Sequence, residues 1–103
     1  MRTDFDVICS FLGYETASSS RLQSEVRPGR TTTDPRSGDP VEGLPIAVLW
    51  CGEQPVAALV GGVVLVNRAT RDAEPRKLVA EEAGRRGREI QHVREQDLWR
   101  LAA

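Results

Sequence analysis

The stretch PVAALVGGVVLVNRAT, residues 55–70, is the most apolar part of the chain and contains two adjacent glycines. Gly61-Gly62 is among the dipeptides that two-residue hairpin turns favour, because a type I′ turn needs a positive φ at both central positions. A single strand running through this stretch would instead carry two unpacked positions at its centre. We therefore predict two antiparallel strands that reverse direction at the glycine pair.

The residues before this stretch predict a further strand. The segment IAVLWC, residues 46–51, is rich in strand-forming side chains, and GEQP, residues 52–55, fits a tight turn. Both sets of alternating positions in IAVLWC are apolar, which indicates that both faces of the sheet are covered. A three-stranded meander between helices follows.

Two helices and a crossover complete the predicted core. Thr3 and Asp6 match a capping box at the start of an amphipathic helix, and Gly13 is expected to end that helix in the left-handed conformation. Asp72 can cap a second helix over residues 72–84, after which residues 88–93 have strand character and residues 95–103 form a final helix. Strand, helix and strand in succession predict a right-handed crossover with parallel pairing.

Together these elements predict a single α/β (α+β) domain over residues 1–103, with a small mixed sheet of about four strands, element order αβββαβα, and helices on both faces. Residues 15–43 have few large apolar side chains and many Ser, Thr, Gly, Pro and Asp residues. We interpret them as a polar segment that is flexible or ordered by a partner. Its only candidate element, RLQSEV at residues 21–26, fits either a helix or a strand.

Composition narrows the class of protein. The 103 residues are 40% hydrophobic and 28% charged, as in folded globular domains, and the net charge of −1 argues against a general affinity for nucleic acid. Cys9 and Cys51 lie outside any metal-ligand spacing and predict buried, reduced thiols. The absence of a charged-then-apolar leader predicts a cytoplasmic location. The apolar run at residues 56–66 is shorter than the roughly 20 residues of a membrane span.

Polar residues follow the two strands that are predicted to be parallel. Ligand crevices tend to open beyond the carboxyl ends of such strands, here NRAT and HVRE. The alternative is that these are ordinary exposed loop residues. A two-histidine metal site is impossible with one histidine, and we predict neither a metal nor a cofactor. The candidate contacts for an anion or a partner are Asn67, Arg68, Arg71, His92 and Arg94.

Basic residues cluster near the second predicted helix. They could form a patch that contacts nucleic acid, although Glu81 and Glu82 dilute it and an exposed helix end explains it equally. The predicted patch comprises Arg76, Lys77, Arg85, Arg86 and Arg88.

The element order, read with particular residues, resembles the core of the Mrr-type restriction endonucleases. FDVICSFLGYE (5–15) resembles that family's first helix, SGDP (37–40) its entry to the sheet, and VVLVNR (63–68) its third strand. The resemblance implies a site in which an acidic residue entering the second strand and an acid- or Gln-x-Lys pair in the third hold Mg²⁺.

The catalytic residues implied by this resemblance are missing. The third-strand positions are Leu65 and Asn67, and the acidic position falls near Gly43, with Asp39 and Glu42 close by. The resemblance therefore implies a nuclease-like fold without its active site.

The sequence favours a non-catalytic module that binds another protein, because no catalytic constellation accompanies the long polar segment. The small size suggests an inhibitor, and the specific prediction is an anti-defence, anti-CRISPR-like protein of a phage or mobile element. Two alternatives stay open: a degenerate nuclease-fold domain that binds nucleic acid, and a domain that binds a small metabolite or nucleotide. The expected partner is a protein, with nucleic acid or a second copy of the chain as alternatives, and no membrane.

Overall fold

The structure is a computed structural model that describes residues 2–29, 31–41 and 43–102. These ranges contain three helices, namely α1 (Asp4–Leu12), α2 (Ala73–Arg85) and α3 (Glu95–Ala102). They also contain eight strands, namely β1 (Ala17–Ser18), β2 (Leu22–Arg27), β3 (Thr32–Thr33), β4 (Pro40–Val41), β5 (Ile46–Cys51), β6 (Gln54–Val60), β7 (Val63–Asn67) and β8 (Glu89–Val93).

The main sheet is mixed and larger than predicted. It has six strands in the spatial order β1-β2-β5-β6-β7-β8, and a separate two-stranded sheet joins β3 to β4. All neighbours in the main sheet are antiparallel except β7 and β8, which are parallel as the crossover predicted. The predicted count of four strands is wrong because β1 and β2 form within residues 15–43. The segment RLQSEV supplies most of β2, so its strand alternative is the right one.

The hairpin at the paired glycines is confirmed. Val60 pairs with Val63, and the two residues between them, Gly61 and Gly62, have φ values of +57° and +82°. Positive φ at both positions is the backbone of a type I′ turn, which glycine adopts without the clash that a Cβ atom would bring. The chain therefore reverses direction where the sequence predicted.

Helices cover both faces of the sheet. α1 and α2 contact one another and pack on one face, whereas α3 packs on the other face over β6 and β7. On the α3 face, Trp50 of β5 meets Trp99, with ring centroids 5.1 Å apart. The core on the face of α1 and α2 is aliphatic apart from one phenylalanine, and its largest fully buried side chains include Ile8, Phe11, Leu12, Leu22, Leu49, Leu59, Val64, Val66 and Val79.

The capping box of α1 is confirmed, but the left-handed residue that follows the helix lies one position later than expected. The Thr3 side chain accepts a hydrogen bond from the Asp6 amide at 3.2 Å, and the Asp6 carboxylate accepts one from the Thr3 amide at 3.0 Å. The bonds with Thr3 lower the pKa of Asp6. Gly13 has a φ of −98°, and the left-handed residue is Tyr14, at +57°. The Glu15 amide then donates to the Ser10 carbonyl at 2.8 Å and closes the turn.

Arg21, in the turn between β1 and β2, ties together the first turns of two helices. Its Nε atom lies 2.7 Å from Asp4 of α1, and its Nη1 atom lies 2.7 Å from Asp72, which caps α2 through the Glu74 amide. The Ser19 hydroxyl donates to the second Asp4 oxygen at 2.7 Å. This bond, with the one from Arg21, lowers the pKa of Asp4.

Both cysteines carry free thiols, and each is half-buried rather than fully buried as predicted. Within the described ranges, no helix has both the length and the apolar character needed to cross a bilayer.

Candidate functional site

A cleft opens at the end of the sheet where β6 begins and β7 ends. The two strands are antiparallel neighbours, so the start of one lies beside the end of the other, and α3 begins nearby. The volume of the cleft is about 470 Å³. It is lined by Cys51, Glu53, Gln54, Val56, Thr70, Arg71, Asp72 and Glu95.

A β-bulge shapes this end of the sheet. Leu49 pairs with Ala57 and Trp50 pairs with Pro55, which leaves Val56 without a partner on β5. A bulge of this kind bends its strand and redirects the neighbouring side chains. It places Val56 in the wall of the cleft.

Asn67, the last residue of β7, is fully buried beside the cleft. Its Nδ2 atom donates to the Pro55 carbonyl at 2.8 Å and to Glu95 Oε1 at 3.3 Å. Its Oδ1 atom accepts a hydrogen bond from the Ala69 amide at 2.8 Å. The side-chain amide therefore joins the start of β6, the end of β7 and the start of α3.

Glu95 is the carboxylate at the centre of this hydrogen-bond network. Gln54 Nε2 donates to Glu95 Oε1 at 2.7 Å, and this bond lowers the pKa of Glu95, with smaller contributions from Asn67, Trp99 and the charge of Arg71. None of the ion pairs formed by the described residues includes Glu95. Glu95 is thus an anion held in place by uncharged donors.

The structure brings two of the five predicted contact residues to the cleft. Asn67 supports it from beneath, and Arg71 lines it, with its backbone amide donating to Gln54 Oε1 at 3.1 Å.

The other three predicted residues do not line the cleft. Arg68 is exposed, and its carbonyl accepts a hydrogen bond from Arg76 at 2.9 Å. His92 is exposed on β8 opposite Val66, and Arg94 lies 3.6 Å from Asp97 within the first turn of α3.

Gln54 is the member of the network that the sequence analysis missed, because it was interpreted only as part of a turn. Cys51 pairs with Gln54, so the turn consists of Gly52 and Glu53 alone, and Gln54 is already the first residue of β6. The predicted meander itself contained the signal, since in a meander the first residue of one strand lies beside the last residue of the next. That rule places Gln54 near Asn67.

The predicted basic patch is spread along α2 rather than gathered. Arg85 and Arg86 both pair with Glu82, at 3.1 Å and 3.3 Å. Arg76 lies nine residues before Arg85, which corresponds to about 14 Å along a helix. Lys77 is exposed on the same helix, and Arg88 donates to the Leu12 carbonyl at 3.1 Å.

The positions singled out by the nuclease resemblance lie far apart. Asp39 is in the loop between β3 and β4, and this hairpin is connected to the sheet at the end where Val63 begins β7. Asn67 is at the other end of β7. Four strand residues separate these ends by about 13 Å. Leu65 is half-buried beneath α3, and Glu42 lies outside the described residues. The ranges 2–29, 31–41 and 43–102 contain no group of three or more His, Cys, Asp or Glu side chains placed to hold a metal ion.

A second feature is the projecting hairpin formed by β3, β4 and their loop, residues 31–41, which we call the arm. Thr32 pairs with Val41 and Thr33 with Pro40, and the two strands pack chiefly against each other. Asp34 orders the loop, because its carboxylate accepts from the Arg36 amide at 2.8 Å and its carbonyl from the Gly38 amide at 2.8 Å.

The arm is almost entirely exposed. Every residue from 31 to 41 is exposed except Asp34, which is partly buried. Two apolar side chains stand at its return to the sheet: Val41 is 45% exposed and Leu44 is 63% exposed. The base of the arm is closely packed, because Gly29 lies against the backbones of Gly43 and Leu44 with no room for a Cβ atom.

Comparison with known proteins gives no match: no family model fits the chain, and no curated protein or solved structure is significantly similar to it.

Proposed function

We propose that this chain acts by binding another protein, and that the arm is its contact surface. The observation that carries the proposal is the exposure of Val41 and Leu44 beside a hairpin that packs chiefly on itself. A two-stranded hairpin is only marginally stable in water when nothing packs against it. A partner that covers the arm would bury both apolar side chains and stabilise the hairpin at the same time.

The chemistry of the arm indicates the kind of surface that it fits. The Leu44 side chain lies over the turn at Gly61, since a Cβ atom added to that glycine would be 3.3 Å from Leu44 Cδ1. The apolar surface therefore continues from the arm to the main sheet. The tip carries one acid at Asp34, one at Asp39 and one base at Arg36. The complementary surface is therefore an apolar groove with a polar rim.

The finer prediction is that the partner is a host defence complex, which would make the chain an anti-defence inhibitor. It is supported only by the small size of the chain and its projecting contact surface. Phage infection of cells that express the chain tests it, since an inhibitor restores plaque formation in a strain that carries the inhibited defence system.

The binding proposal is tested by quantitative affinity capture from a lysate of the cells in which the chain is naturally produced. We compare the unaltered protein with a Val41→Ser, Leu44→Ser double variant. Fully burying an exposed Val or Leu contributes about 1.5 to 3 kcal/mol. Because both side chains are already partly covered, we expect the double variant to weaken binding by about 2 to 4 kcal/mol, or roughly 30- to 1,000-fold.

Phe5→Ser is the matched control, because Phe5 is also 45% exposed but lies on α1, away from the arm. The proposal predicts a protein that the control captures and the double variant loses. Equal capture by both variants, with circular dichroism showing that both are folded, would refute the arm as the contact surface.

A further inference from the structure

We propose that the cleft beside Glu95 binds a guanidinium or primary ammonium group. This site is separate from the arm and from the proposed protein contact, because the two features lie at opposite ends of the sheet.

The first argument is the charge of the cleft. Its lining carries three carboxylates, from Glu53, Asp72 and Glu95, against one guanidinium, from Arg71. Asp72 is already paired with Arg21 at 2.7 Å. The remaining excess of negative charge favours a cationic ligand over an anionic one.

The second argument is the geometry of Glu95. Gln54 and Asn67 both donate to the same oxygen, Oε1, and so fix the orientation of the carboxylate without neutralising it. A carboxylate can accept about four hydrogen bonds and binds charged donors more strongly than neutral ones. Arg71 acts on Glu95 through its charge but forms no ion pair with it, so a charged donor in the cleft would make a direct ion pair with a group that is already oriented.

The third argument is independent of charge and concerns Thr70. Its hydroxyl oxygen is buried in the wall of the cleft and forms no hydrogen bond with any described residue. Buried polar atoms normally have partners, and one without a partner needs an explanation. Rotation of the Thr70 side chain about χ1 would turn this hydroxyl towards a ligand N–H group in the cleft, while Val56 and Cys51 offer an apolar wall to the ligand's aliphatic part.

Titration with agmatine, followed by ¹H–¹⁵N NMR, tests the site. Agmatine carries a guanidinium and an ammonium group on a short aliphatic chain. The signals to follow are the side-chain amides of Gln54 and Asn67 and the indole N–H of Trp99. We expect saturable shifts in these three signals, and no such shifts with inorganic phosphate.

Two variants and a control make the result specific. Glu95→Gln keeps the size of the side chain and should weaken agmatine binding at least tenfold, whereas Glu81→Gln, an exposed site on α2, should leave it unchanged. Thr70→Val should weaken binding several-fold without lowering thermal stability, because the hydroxyl it removes has no partner in the free protein. If the hydroxyl had a purely structural role, Thr70→Val would instead lower thermal stability and leave agmatine binding unchanged.

A parallel titration with the capped peptide Gly-Arg-Gly distinguishes a free amine from an arginine side chain of a partner. Saturable binding of either probe that depends on Glu95 supports the site, and the tighter one identifies the source of the cation. The absence of saturable shifts with both probes at 20 mM, equal binding by Glu95→Gln, or shifts with phosphate alone would overturn the proposal.

Discussion

The substitution Asn67→Asp tests the network around the cleft, because it exchanges the buried amide for a carboxylate of the same shape. It removes the donor to the Pro55 carbonyl and places a second carboxylate 3.3 Å from Glu95 Oε1. Losing a hydrogen bond in a buried site costs about 1 to 3 kcal/mol, and leaving a buried charge uncompensated costs about 3 to 5 kcal/mol. Because Asn67 is 0% exposed, we expect a loss of about 3 to 5 kcal/mol at pH 7.5.

The loss should depend on pH in a defined direction. Burial and the nearby charge of Glu95 both raise the pKa of the new Asp carboxyl. The substitution therefore lowers the free energy of unfolding most at pH values above that raised pKa, where the carboxyl is charged. As pH falls through it the carboxyl takes up a proton and can again donate a hydrogen bond, which reduces the loss. In the unaltered protein the pKa of Glu95 is lowered, chiefly by the hydrogen bond from Gln54, which the variant keeps.

Urea unfolding at pH 7.5 and at pH 5.0 measures the effect. Gln91→Glu is the control, since it makes the same exchange on an exposed position of β8. We expect a large difference between the two variants at pH 7.5 and a smaller one at pH 5.0. If Asn67→Asp were within about 0.5 kcal/mol of the control at pH 7.5, the range of ordinary surface substitutions, the amide would not join β6, β7 and α3 as described.

Three further predictions concern the hairpin, the helix contacts and nucleic acid. Gly61→Ala should lower the free energy of unfolding by about 1 kcal/mol, because φ is +57° there, and an unchanged urea midpoint would contradict the turn assignment. Arg21→Met should cost about 1 kcal/mol at pH 7, discounted for exposure. Because the pKa of Asp4 is lowered in the folded protein, the stability that Arg21 contributes is present above the ordinary pKa of aspartate and is lost as pH falls through the folded-state pKa. Acid titrations of the unaltered protein and of Arg21→Met, followed by circular dichroism, measure this. In salt-dependent gel shifts we expect no DNA complex at physiological salt. A DNA complex that forms with the unaltered protein but not with the Arg85→Ala, Arg86→Ala double variant would favour the nucleic-acid alternative.

The part of the fold that follows from local signals was predictable. The glycine pair at residues 61 and 62, the capping box at Thr3 and the cap at Asp72 each act within a few residues of chain, and all three form as expected. The parallel pairing of β7 with β8 follows from the helical crossover, α2, that connects them.

Of the strands within residues 15–43, only β2 was expected, as one of two alternatives for RLQSEV, because the stability of these strands comes from distant residues. β2 alternates apolar and polar side chains only weakly, and it is held along its whole length by β5, from Leu22 opposite Cys51 to Arg27 opposite Ile46. The left-handed residue was expected at Gly13 but is Tyr14, because a local hydrogen bond from the Glu15 amide to the Ser10 carbonyl closes the turn one residue later. Whether the segment is flexible in solution stays a prediction.

The location of the cleft was predictable, but only part of its lining was. The end of β7 was the expected position, and Asn67 and Arg71 are there. His92 lies near the end of the parallel partner strand β8 and was expected to face them, yet β8 is the edge of the sheet and the His92 side chain is exposed. The bulge at Val56 carries no sequence signature strong enough to have placed that residue in the wall.

The most direct test of the central claim is photo-crosslinking from the arm inside cells. A photoreactive phenylalanine analogue is introduced at Val41 and, as the comparison, at Lys77 on the exposed side of α2. A protein contact through the arm predicts a discrete covalent adduct from position 41 and none from position 77, with the adduct diminished by excess unaltered protein. No adduct from position 41, or the same adduct from both positions, would contradict it.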